Sequence, residues 1–131
     1  MTTIIEARQR LASGPYLPEA VREEAPIVLI VAIDHDDAHL MTLCEEVAHH
    51  QLHNPSFKPL FLVGGAATRC LSTHRFQFET VLTRDAWTSL GVPGTYERFL
   101  ERRVQATRRL YQPATVVITR AGTTLPVWAL V

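Results

Sequence analysis

The chain has 131 residues, with 13 acidic and 13 basic side chains balancing to a formal net charge of zero and six histidines besides. This length fits one domain, and the balance leaves no basic field to draw in nucleic acid and no acidic tail to repel it. An apolar fraction of 47% beside 20% charged residues is that of a folding chain, and no apolar run reaches the roughly 18–20 residues that a membrane span needs.

In chain order, residues 1–25 read as an N-terminal arm. Ile4 to Ala12 has helical spacing, Ser13-Gly14-Pro15 and Pro18 interrupt it, and Pro26 closes a short charged stretch from Glu19 to Glu24. Residues 26–131 read as the domain. Ile27 to Ile33 is apolar without alternation and mostly β-branched, which predicts a strand buried on both faces of a parallel sheet. Asp34-His35-Asp36-Asp37 follows, and Asp36 or Asp37 is placed to cap a helix over 37–53. The apolar stripe of that helix is Leu40, Leu43, Cys44, Val47 and Ala48, with Leu52 extending it.

Pro59 to Val63 predicts a second strand, stopped by Gly64-Gly65, and Ala66 to Leu71 a short helix. Phe76 to Leu82 alternates apolar and polar residues, as a strand near a sheet edge does. Asp85 to Leu90 suits a turn of helix, and Thr95 caps a long helix to Tyr111. Tyr96, Phe99, Leu100, Val104, Leu110 and Tyr111 are its apolar positions. Thr115 to Thr119 is a fourth strand, residues 121–124 a loop, and Leu125 to Val131 is largely apolar. Strands alternating with helices predict a single Rossmann-like three-layer α/β domain with a mostly parallel sheet of four or more strands. Val127, Trp128, Leu130 and Val131 predict a segment docked on its own sheet or on a second copy of the chain.

Ligands of such sheets lie outside the carboxyl ends of the strands, which directs attention to loops 34–37, 64–68, 83–85 and 120–124. His35, Asp34 and Asp36 are the candidate catalytic residues, and Gly64, Gly65, Gly122 and Thr123 the candidate ligand-binding ones. Asp34-x-Asp36 after an apolar strand resembles the first motif of haloacid-dehalogenase-type phosphatases. The later lysine and distal acidic pair of that family are missing, since Lys58 is the chain's single lysine. Response-regulator receivers also carry acids there, but the acceptor aspartate after a third strand and the lysine after the last are absent. Capping and a solvated turn are the plainer explanation of the acids.

His35 and His39, and His49 and His53, are spaced four apart, as chelating pairs on a helix are. Too few further ligands lie close by in sequence, so no metal and no cofactor is expected. Gly64-Gly65 occurs without the dinucleotide or P-loop spacing and reads as a tight turn. Arg98, Arg102, Arg103, Arg108 and Arg109 put five cations on the long helix, diluted by Glu97 and Glu101 and without interleaved aromatic rings, which reads as a solvated face. Cys44 and Cys70 form no C-x-x-C and no disulfide framework, and no secretory pattern opens the chain. A reducing cytoplasm is the expected compartment.

Taken together, the elements resemble the N-terminal, acceptor-side half of a GT-B-fold glycosyltransferase. The residues carrying the resemblance are Ile27 to Ile33 with His35 and Leu40/Leu43 behind it, Leu60 to Gly65, and His74 to Leu82. Tyr111 to Ile118 follows, with Ala114 where that family has Asp, and then Ala121 to Leu130, a glycine loop leading to a proline at a helix start. The likeness covers roughly residues 26–131. The family's glycine-rich first loop is replaced here by Asp34-His35-Asp36-Asp37. The resemblance implies an acceptor-binding domain that is inactive without a donor-binding half or partner protein. Two other readings stay open: a non-enzymatic domain that associates with itself or a partner through its apolar end, and a small metal- or phosphate-dependent hydrolase working through loop 34–37.

Overall fold

The computed structural model describes residues 25–53, 57–64 and 68–119. The expected arm (residues 1–25) and the apolar segment 125–131 lie outside these residues, apart from Ala25. Eight elements alternate: β1 (Ile27–Ala32), α1 (Asp37–His53), β2 (Lys58–Val63), α2 (Arg69–Thr73), β3 (Gln77–Thr80), α3 (Arg84–Leu90), α4 (Tyr96–Tyr111) and β4 (Thr115–Ile118). The four strands form one sheet in the order β3-β2-β1-β4, and every neighbouring pair is parallel.

The unbroken apolar run of β1 has its cause in this topology. The strand is central, so both of its faces are covered, and all six of its residues are buried. Side chains alternate between two cores with the period of the pleat. Val28, Ile30 and Ala32 join Phe61 and Val63 of β2 beneath Leu40, Leu43, Cys44 and Val47 of α1 and Leu71 of α2. Ile27, Leu29 and Val31 join Leu60 and Leu62 beneath Phe99, Leu100, Val104 and Tyr111 of α4. Helices therefore cover both faces, giving three layers of a Rossmann-like domain. Side chains such as Leu29, Ile30, Leu60 and Phe61 are sealed from solvent, and each contributes about 1.5–3 kcal/mol.

The helix ends follow local chemistry. Asp36 Oδ1 accepts the His39 amide at 2.8 Å and starts α1. Thr83 and Thr95 cap α3 and α4 through their hydroxyls, which accept from the amides of Ala86 and Arg98. Gly91 ends α3 at a φ of 65°, where a side chain would be strained.

Two expectations need correction. Leu52 does not extend the buried stripe of α1; it is 60% exposed, and Gln51 is buried in its place. Eleven residues of helix return Gln51 to within about 20° of Leu40, whereas Leu52 is rotated a further 100° or so toward solvent. Gln51 is affordable inside because its Nε2 donates to the Phe57 carbonyl at 3.0 Å, tying the end of α1 to the start of β2. The short helix after β2 spans Arg69 to Thr73, running past Leu71, and Ala66 lies outside the described residues.

Candidate functional site

β1 and β4 are neighbours, but the chain leaves β1 for α1 on one face and reaches β4 from α4 on the other. Their carboxyl ends consequently open a gap, the switch point at which parallel α/β sheets bind ligands. A crevice of about 720 Å³ occupies it. Ile33, Asp34, His35 and Asp36 form one wall, Thr83, Arg84 and Asp85 after β3 a second, Tyr96 and Leu100 of α4 a third, and Ile118 of β4 with Thr119 just after it the last.

His35 is the side chain most constrained by this arrangement. Only 3% of it is exposed, although the Asp34 carboxylate beside it is 66% exposed. Its Nε2 lies 3.4 Å from Thr119 Oγ1. With the Thr119 hydroxyl donating to the Val31 carbonyl at 3.1 Å, the ring tautomer that matches it carries its proton on Nε2 and donates to Thr119. Nδ1 then carries the lone pair. It is buried and without a hydrogen-bond partner among the described residues. Asp34 Oδ1 stands 3.4 Å away but out of hydrogen-bond alignment. Burial depresses the His35 pKa below its ordinary value and outweighs the opposing pull of Asp34. The ring is accordingly neutral at pH 7, with a proton-accepting nitrogen at the crevice wall.

The three aspartates behave differently. Asp36 caps α1 and also holds His39 Nδ1 at 2.7 Å. The His39 amide, followed by the ring, keeps its carboxyl below the usual carboxylate range. Asp34 and Asp85 are exposed at the rim. Across the crevice, Arg84 pairs with Glu97 at 2.6 Å and lies 4.9 Å over the Tyr96 ring, while the Tyr96 hydroxyl donates to the Leu82 carbonyl at 2.7 Å. Burial raises the Tyr96 pKa, so its hydroxyl stays protonated.

Gly64 takes its place for steric reasons. A Cβ there would meet the Ile33 carbonyl oxygen at 2.5 Å and Thr83 Cγ2 at 2.8 Å. The glycine thus lets the backbone at the end of β2 approach Ile33 and Thr83 closely. Gly65, Gly122 and Thr123 lie outside the described residues.

Thr83 and Arg84 lie in the loop 83–85 to which the sequence pointed without naming them as site residues, and Tyr96 and Thr119 are crevice residues that sequence reasoning did not single out. Each had a usable signal: a hydroxyl directly before a helix, the residues just inside one, and a polar residue closing an apolar strand. Of the five helical arginines, Arg98, Arg102 and Arg109 edge a shallow depression of about 480 Å³ with Glu101 and Gln105. Arg103 instead turns inward to Glu79 and Thr107, both at 3.0 Å. His35 and His39 are not a helical pair, because His35 precedes α1 and faces Thr119 while His39 faces Asp36. Among the described residues, no group of three His, Cys, Asp or Glu side chains is placed to hold a metal ion, and no helix is long and apolar enough to cross a membrane. Comparison with known proteins finds no matching family model, curated protein or solved structure.

Proposed function

We propose that this chain is the acceptor-side domain of a two-part sugar transferase, and that the switch-point crevice holds a hydroxyl-bearing acceptor. The observation that carries this reading is His35 Nδ1, buried at the crevice wall without a hydrogen-bond partner among the described residues. A neutral imidazole of depressed pKa accepts the proton of an acceptor hydroxyl as its oxygen bonds to the sugar's anomeric carbon. The donor's leaving group departs on the other half of the enzyme, a second domain or a partner protein. Charge supports the division of labour. The described lining carries three carboxylates, Asp34, Asp36 and Asp85, against one guanidinium that Glu97 already engages. Such a crevice disfavours a nucleotide diphosphate and accommodates a neutral polyol, whose hydroxyls find acceptors in the aspartates.

Titration of the isotopically labelled chain with a panel of neutral mono- and disaccharides and glycerol tests the reading. Amide shifts are expected at Asp34, His35, Thr83 and Thr119, with the His35 ring resonances moving at neutral pH. Shifts confined to the amino-terminal edge of the sheet, around residues 74–76 and 112–114, would overturn it, as would a panel that moves nothing.

A further inference from the structure

The chain's two cysteines lie 26 residues apart and come together between α1 and α2, where Cys44 Sγ donates a hydrogen bond to Cys70 Sγ at 3.5 Å and no disulfide joins them. Their environments differ. Cys44 is sealed in the core under α1. Cys70 is half-buried and opens onto a surface cavity of about 500 Å³, beside Met41, Glu45, Arg69, Thr73 and His74. Thus one thiol is reachable and the other stands directly behind it, the arrangement of an attacking and a resolving cysteine. α2 is also a weakly anchored element: five residues long, with no side-chain cap at its start and only Leu71 buried.

We propose that Cys70 and Cys44 form a thiol-modification site that a small-molecule disulfide oxidises to an intramolecular disulfide, clamping α2 onto α1. The Cys70 thiolate attacks one sulfur of the small disulfide, whose S–S bond breaks. One small thiol leaves, taking up the proton that Cys70 released, and a mixed disulfide remains on Cys70. Cys44 then attacks Cys70 Sγ, giving up its proton to the departing small thiolate as the mixed disulfide breaks, and the second small thiol leaves with that proton. Two protein thiols are oxidised and one small disulfide is reduced to two thiols. The order is set by access and by charge, since burial pushes the Cys44 thiol far above its ordinary range and no cavity leads to it among those described. Closure needs the sulfurs to approach by roughly 1.5 Å, which a five-residue helix seated through one leucine can supply.

Glutathione disulfide added to the folded full chain is the test, read by intact mass and peptide mapping. The expected product is a single chain lighter by two hydrogens, with a peptide linking Cys44 to Cys70, slower hydrogen exchange over residues 69–73, and a melting temperature higher by roughly 10 °C. Cys44→Ala should halt at one glutathione on Cys70, and Cys70→Ala should take none in its folded state. Should Cys44→Ala not fold, the wild-type map and Cys70→Ala still decide the matter. A folded wild-type chain that stays unmodified while the denatured chain reacts would overturn the proposal. So would a mixed disulfide that never closes, a link between two chains, or a closed form that melts no higher.

Discussion

Gly64→Ala tests whether the glycine after β2 serves packing. Its φ lies outside the left-handed region, so alanine meets no conformational barrier there. In open space the exchange would stabilise by about 0.4–1 kcal/mol, through the entropy of the unfolded chain. Space is what the site lacks. The new methyl would stand 2.5 Å from the Ile33 carbonyl oxygen and 2.8 Å from Thr83 Cγ2, both well inside van der Waals contact. Overpacking of this kind costs about 1–3 kcal/mol, leaving a net loss of roughly 1–2 kcal/mol. With an m-value near ~2 kcal/mol/M the urea midpoint falls by roughly 0.5–1 M at unchanged slope.

Stability loss alone does not identify the cause, and Gly91→Ala makes the contrast. It sits at a φ of 65° with nothing within 4 Å of the added Cβ, so it loses roughly 1–2 kcal/mol to backbone strain instead. Thr83→Ser separates the two. It deletes the Cγ2 methyl and keeps the hydroxyl that caps α3. Added to Gly64→Ala it should restore part of the loss, since the clash with the Ile33 carbonyl persists, and added to Gly91→Ala it should restore nothing. A Gly64→Ala chain of wild-type stability, or a double variant without rescue, refutes the steric account.

Three further outcomes are expected. His35 binds fewer protons folded than unfolded between its depressed pKa and about 6.5, so wild-type stability falls as pH drops through that window, and chemical denaturation of His35→Gln across it should show a flatter profile. Gln51→Leu should destabilise by about 1–3 kcal/mol despite its greater apolarity, because the Phe57 carbonyl loses its donor, whereas Leu52→Gln on the exposed side of the same helix should stay within about 0.5 kcal/mol in the same urea titration. Asp36→Ala should lower the melting temperature through loss of the α1 cap, and Asp36→Ser should recover most of it, as followed by circular dichroism.

Strands and long helices were legible in the sequence because their signals are local. The double-sided burial of β1 is written into seven consecutive apolar residues, and the start of α4 into Thr95 followed by a 3/4 apolar spacing. The buried Gln51 was not legible, since polarity outweighs helical phase when a stripe is read by residue type, and its partner carbonyl at Phe57 is known only once β2 is placed. The candidate site was visible in part for the same reason. Asp34, His35 and Asp36 stand out as a polar cluster at a strand end. Thr119 reads as the last residue of a strand until the sheet order brings it beside His35, 84 positions away in sequence. Likewise, Gly64 carries a generic turn signal, and the contact that requires it comes from Ile33 and Thr83 on two other segments.

The crevice wall holds a polar arrangement that works against the stability of the fold. A buried polar atom without a partner costs about 1–3 kcal/mol, a large share of the net stability of a small domain. Among the described residues, His35 Nδ1 is such an atom. Thr119 is satisfied by a single donor at Nε2, which the amide of an asparagine or glutamine also supplies. Proximity to Asp34 makes the situation less comfortable for the fold, since the nitrogen lone pair lies 3.4 Å from a carboxylate oxygen. A donor arriving from the crevice, such as a ligand hydroxyl, relieves both costs at once: it fills the acceptor at Nδ1 and separates it from the carboxylate. The vacancy in hydrogen bonding and the opening of the sheet therefore coincide at one nitrogen, and ligand binding should raise the stability of the wild-type chain more than that of His35→Gln.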